Sequence, residues 1–208
     1  MRTLTKELRD KLTPEEAVEV LKAGNERFVK NLKARRNLLE QVNETSDGQY
    51  PFAAILSCMD SRTSAELIFD QGLGDIFSLR IAGNILNNDI LGSLEFATKI
   101  AGSKVIVVLG HTKCGAITAA CNNMTLGNLT SLLQKIKPVI DKETETKDRR
   151  DGSNQNFVFN VTKLNVQITM DDIKNKSGII SELLHSGNIG MVGGIYDVDT
   201  GRVDFFNK

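Results

Sequence analysis

The chain has no surplus of charge of either sign: 26 Lys and Arg stand against 26 Asp and Glu, a formal net charge of zero. A nucleic-acid binder needs a basic excess to displace counterions, so that class is not expected, nor is an anionic membrane surface as partner. Long apolar runs are also missing. No stretch approaches the ~18 apolar residues of a membrane span, and the polar start Met1-Arg2-Thr3-Leu4-Thr5-Lys6-Glu7 has no signal-peptide core. A cytoplasmic protein is expected, although a cleaved signal would have left no trace here. Cysteine is scarce, at three residues, and an odd count does not suit a secreted disulfide framework. In a reducing compartment, thiolate or buried-thiol roles are favoured over bridges. Internal repeats and low-complexity segments are absent.

What is there reads as a single α/β domain. The 40% hydrophobic and 25% charged fractions are those of an ordinary globular protein, and 208 residues suit one sizeable core. Residues 1–50 read as an N-terminal helical arm and linker. Thr13-Pro14-Glu15-Glu16 carries an N-cap, a first-turn proline and a capping-box glutamate. Ala17, Val18, Leu21, Phe28 and Val29 follow near helical spacing. The polar run Asn43 to Gln49 reads as a loop.

Residues 51–208 read as the main domain. Phe52–Ser57, Ile76–Leu79, Lys104–Leu109 and Ile189–Tyr196 are short apolar runs of the kind buried on both faces of a parallel sheet. After the Asp199-Thr200-Gly201 turn, Arg202 to Phe206 alternates polar and apolar and suits an antiparallel edge strand. Helical stretches near 90–101, 115–122, 126–142, 154–175 and 177–185 separate these runs. Strands alternating with helices predict a mostly parallel central sheet, about four parallel strands plus that edge strand, flanked by helices. The mixed-charge run Asp141 to Asp151 reads as a solvated helix end and loop with no function.

The chemistry lies just beyond two of these strands. Cys58 follows the first run, and His111 and Cys114 follow the run that ends at Gly110. Loops past the carboxyl ends of parallel strands are where open α/β sheets place ligands. Each residue alone is better read as buried core, by about three to one. Together, at two strand ends, they read as a metal site. Two thiolates and an imidazole suit Zn²⁺, and three protein ligands with an open fourth position mark a catalytic site rather than a structural one. Cys121 and His185 keep the core reading, with no route to the ion. In the loop after Cys58, Asp60 can accept a hydrogen bond from a water on the metal. Arg62 can hold that carboxylate ionised through paired hydrogen bonds.

Cys58-Met59-Asp60-Ser61-Arg62 followed by Gly110-His111-Thr112-Lys113-Cys114-Gly115 resembles the β-class carbonic anhydrase family. Gly24-Asn25-Glu26-Arg27-Phe28, Arg80-Ile81-Ala82-Gly83-Asn84 and Gly193-Gly194-Ile195-Tyr196 match as well, so the resemblance spans residues 14 to 206. It implies one Zn²⁺ per chain on Cys58, His111 and Cys114, with Asp60 and Arg62 as a catalytic dyad. The implied activity is reversible hydration of CO₂ to bicarbonate and a proton, through hydroxide on the metal oriented by the dyad. Gln49 resembles a glutamine that plant-type members extend into the partner subunit's site. Phe77 falls where those members have an aromatic pocket wall, and Gly115 matches the substrate side of the second motif. Bicarbonate-inhibited bacterial members carry a Trp where this chain has Ile55, so their allosteric pocket is not expected.

Two thiolates donate more charge than imidazoles, which predicts activity shifted to higher pH. Two alternatives remain beside this reading: a CS₂ or COS hydrolase of the same fold, and a non-catalytic zinc or thiol sensor. Some relatives close the site by swinging the same Asp onto zinc, and the sequence leaves Asp60's resting position open. The long polar linker suggests that the N-terminal helix packs on a second copy, so a homodimer or larger homo-oligomer is expected.

Overall fold

The structure, a computed structural model, describes residues 3–206. Among the described residues, five strands form one sheet in the order β2-β1-β3-β4-β5. They are β1 (Ala53–Ser57), β2 (Ile76–Arg80), β3 (Val105–His111), β4 (Gly190–Tyr196) and β5 (Val203–Phe206). All neighbours run parallel except β4 and β5, which are antiparallel. This is the predicted α/β architecture. The helices are α1 (Lys6–Lys11), α2 (Pro14–Val29), α3 (Leu38–Glu44), α4 (Ala65–Ile68), α5 (Asn88–Glu95), α6 (Gly115–Cys121), α7 (Gly127–Leu133), α8 (Lys137–Lys142), α9 (Gln155–Lys176) and α10 (Gly178–His185).

The two faces of the sheet follow from strand alternation. On one face Ala53, Ile55, Val105, Val107 and Leu109 pack with Ala17 and Leu21 of α2 and with Ala65, Ile68 and Phe69 around α4. On the other, Ala54, Leu56, Ile106 and Val108 meet Leu94 of α5, Val166, Met170 and Ile173 of α9, and Ile180 of α10. β1 and β3 are buried at every position, which is why they read as continuous apolar runs.

The N-terminal helix departs from expectation. The capping box at Thr13 and Glu16 forms as predicted and starts α2. Its apolar face, however, lies on the chain's own sheet, with Ala17 and Leu21 fully buried. A short helix, α3, precedes the polar run Asn43 to Gln49 and ends on its first two residues; the rest of that run is turn and loop, as predicted. Buried Asp70 gathers this region. It accepts from Arg27 Nε and Arg36 Nη1, each at 2.6 Å, and from the Ala34 amide at 3.1 Å. The sequence argument that α2 needs a second subunit to cover it therefore fails.

Two smaller corrections have local causes. The predicted helix 126–142 is two helices, because Pro138 lacks an amide proton and sits at the start of α8. The charged loop after residue 141 is not wholly solvated. Glu143 is buried, accepting from the Thr146 amide at 2.8 Å and from Arg150.

Candidate metal centre

β1 and β3 are neighbours in register, Ser57 beside Leu109, so their following loops emerge side by side. The chain passes from β1 outward to β2 and then back across to β3. Their shared boundary is thus where the strand order reverses, the crevice in which such sheets bind ligands. Cys58 leaves β1 there, His111 is the last residue of β3, and Cys114 precedes the first turn of α6. Lys113 turns the chain between His111 and Cys114 with φ +56°, a conformation uncommon for a residue with a side chain.

The three predicted ligand residues come together. All are buried, and one donor atom from each lies within 4.8 Å of the others. The sulfurs of Cys58 and Cys114 are 3.9 Å apart. His111 Nδ1–H donates to the Thr112 carbonyl at 2.9 Å, which leaves Nε2 as the free lone pair. That Nε2 is buried and has no hydrogen-bond partner. An orphaned imidazole nitrogen facing two thiols is costly by itself and is what a metal ion would satisfy. The donor set therefore fits Zn²⁺. Cys58 is held down to about 4, chiefly by the hydrogen bond with Cys114 and against burial, whereas the Cys114 thiol is pushed up.

Asp60 lies outside this trio. Its Oδ1 accepts from Arg62 Nε at 2.9 Å and from the Arg62 amide at 3.0 Å, and its Oδ2 accepts from Arg62 Nη2 at 2.8 Å. The hydrogen bonds from Arg62 hold the carboxyl well below the usual range. Oδ2 is 4.0 Å from His111 Nε2, so the carboxylate lies beside the cluster.

Several supports were not assigned a role from sequence. Arg80, at the end of β2, donates Nε to the Cys58 carbonyl at 3.3 Å and Nη2 to the Asp60 carbonyl at 2.6 Å. Thr63 Oγ1 bridges the same two carbonyls, at 3.0 and 2.9 Å. The Gly83 amide donates to Cys58 Sγ at 3.4 Å. Arg80 and Gly83 belong to a stretch noted from sequence for its pattern alone, which was the one signal available.

The remaining predicted residues are more dispersed. Gly115 follows Cys114 directly and is exposed, and a Cβ there would meet nothing within 4 Å. Packing therefore does not require glycine at that position. Phe77 pairs with Ala54 in the sheet, about 13 Å of strand before Cys58 at ~3.3 Å per residue. It stacks edge-on with Phe96 at 6.3 Å. Gln49 is exposed, ahead of the amino end of β1, while Cys58 follows its carboxyl end. Neither joins the cluster of this chain. Cys121 is buried at the end of α6, which pushes its thiol up to about 11, and His185 sits exposed at the end of α10. Both stand outside the cluster, as expected, but only Cys121 is a core residue; His185, in the last turn of α10, faces solvent, which corrects the core reading for it.

Comparison with known proteins gives a consistent result. The family profile described as carbonic anhydrase matches residues 53–203. Carbonic anhydrase 2 of Mycobacterium tuberculosis is 37% identical over 195 residues, covering 91% of each chain. A carbonic anhydrase of Mycolicibacterium smegmatis is 33% identical and covers 92% of each. Among solved structures, a Coccomyxa β-carbonic anhydrase in complex with acetazolamide superposes with a TM-score of 0.71 at 25% identity, over 80% of this chain and 76% of that one. A tetrameric β-carbonic anhydrase of Sordaria macrospora shares the fold, with a TM-score of 0.69 at 22% identity over 81% and 90% of the two chains.

Proposed function

The chain belongs to the β-carbonic anhydrase family, and from that premise we propose that it catalyses reversible hydration of CO₂ at one Zn²⁺ held by Cys58, His111 and Cys114. The observation that carries this is the buried trio with an unpartnered His111 Nε2. When bound, the ion supplies a Lewis acid that makes water nucleophilic at moderate pH.

The protein's own residues would manage the geometry. Asp60 lies beside the cluster and accepts a hydrogen bond from the attacking water, fixing the direction of its lone pair. Arg62 occupies both carboxylate oxygens from the far side, so Asp60 is aimed as well as ionised. Because Arg62 keeps Asp60 well below the usual carboxyl range, Asp60 is a poor proton acceptor. It orients the water, and the proton released in CO₂ + H₂O → HCO₃⁻ + H⁺ passes to buffer. Gly115 leaves room beside Cys114 for a small linear substrate and the planar product.

Gln49 and Phe77 reach no site of their own chain, which supports a reading in which they serve a second copy. The free edge of the sheet at β2 also favours a homo-oligomer. Phe77, Leu79 and Phe96 line an apolar hollow there, and Phe96 and Ile100 are exposed. Among the described residues, no helix is long and apolar enough to cross a membrane. A cytoplasmic setting would keep the three free cysteines reduced.

The direct test is stopped-flow CO₂ hydration with zinc quantification on wild type and Cys58→Ala, with CS₂ as a competing substrate. The expected result is one zinc per wild-type chain, hydration far above background and little CS₂ turnover. In Cys58→Ala both zinc and activity should be lost. Zinc-loaded wild type that leaves CO₂ at the background rate would refute the function.

A further inference from the structure

Asparagine is a poor residue for the middle of a long helix, and burying its amide costs free energy unless both ends find work. Asn165 nevertheless sits in the middle of α9, 3% exposed, on the face turned to the sheet. Its Nδ2 donates to the Gly83 carbonyl at 2.9 Å, across 82 residues of sequence. Gly83 is held at φ +68°, ψ +18°, a left-handed conformation that favours glycine, and its amide is the one donating to Cys58 Sγ. One residue thus carries both bonds: its carbonyl to Asn165 and its amide to the candidate ligand. Rotation at Gly83 would break the two together.

Helix α9 can reach this point because position 110 has no side chain. A Cβ on Gly110 would lie 2.8 Å from Val166 Cγ2 and 3.2 Å from Thr162 Cγ2, which would push the helix off β3. The glycine preceding His111 therefore has a structural reason, which is to let α9 approach closely enough for Asn165 to grip the Gly83 turn.

We propose that Asn165 is a positioning residue for the metal centre, pinning the Gly83 turn so that its amide stays on Cys58 Sγ and moderates the charge this thiolate donates to the ion. The proposal rests on the zinc reading above. A hydrogen bond to a thiolate lowers the energy of its lone pairs, and partners of this outer kind are worth about 10–100-fold in metal affinity or activity.

The test uses metal-substituted protein. In the ¹¹³Cd form of wild type, the Gly83 amide proton should show scalar coupling to cadmium through the N–H···S bond, and the Asn165 side-chain amide should exchange slowly. In Asn165→Leu and Asn165→Asp the coupling should weaken or vanish. The sulfur-to-cobalt charge-transfer band of the Co²⁺ forms should move to longer wavelength, and zinc affinity should fall about 10–100-fold in chelator competition. Thr169→Val, a buried change one turn along the same helix, should leave all three at wild-type values. The proposal is overturned if the Asn165 variants keep the wild-type coupling and band, or if Thr169→Val shifts them equally. It is also overturned, without any variant needing to fold, if wild type lacks the Gly83 coupling or the protected Asn165 amide. Wild type that takes up none of these metals would instead sink the zinc reading, and this proposal with it.

Discussion

Replacing Asp60 with asparagine removes one charge while keeping size and shape, and the surrounding geometry separates its two consequences. The side chains of Asp60 and Arg62 are 18% and 49% exposed, so solvent screens the pair and a stability contribution near that of a surface ion pair is expected. For a chain of this length that corresponds to a Tm shift of less than about 4 °C. Activity should respond differently. In the proposed role the carboxylate aims the attacking water, and loss of one aimed hydrogen-bonding group at a reacting atom typically costs about 10²–10³-fold in kcat. Arg62 holds Asp60 ionised far below neutrality, so the loss should be uniform from pH 6 to 9 rather than confined to one limb. Stopped-flow hydration across that range, with zinc quantification and thermal melts on the same samples, reads all three quantities. A kcat within threefold of wild type would refute the orienting role. Loss of zinc from the variant would refute it differently, by making Asp60 a ligand.

Three further outcomes are expected. Asp70→Asn leaves Arg27 and Arg36 facing a neutral amide in a buried site, a cost of about 3–5 kcal/mol and so a Tm lower by about 6–20 °C in a thermal melt. Burial opposes ionisation of Asp70, but the hydrogen bonds from Arg27, the Ala34 amide and Arg36 outweigh it and hold its pKa below the unfolded value. Its contribution is therefore complete above about pH 4 and is lost as pH falls through the folded value, so the Tm gap between wild type and variant should close in acid. Gly115→Ala should melt no lower than wild type, since a Cβ meets nothing there, yet raise KM for CO₂ if the space serves substrate; an unchanged KM removes Gly115 from the pocket. Sedimentation at micromolar concentration should show a homo-oligomer, and a lone 22.9 kDa species would contradict that reading.

Periodicity and spacing were enough for much of this protein. Continuous apolar runs at β1 and β3 announced strands buried on both faces, and the cysteines and histidine at their carboxyl ends marked the candidate ligand trio, because residue type and strand end are both local properties. The capping box at Thr13 likewise located the start of α2. Where that helix lands was not local. Its buried face, Ala17 and Leu21, is served equally well by a partner or by its own sheet, and only tertiary packing chose the latter. The buried turn of Glu143 and Arg150 inside a charged run was hidden for the same reason, since a charge pattern does not reveal which carboxylate is folded under.

At the site, sequence alone determined which atoms could bind a metal, and the order of the strands determined that they meet. The supports came from elsewhere in the chain: Arg80 on the Cys58 and Asp60 carbonyls, the Gly83 amide on the sulfur, and Asn165 behind it. Those bonds depend on backbone directions and on how closely α9 lies against Gly110. Such distances exist only once the helices have packed on the sheet.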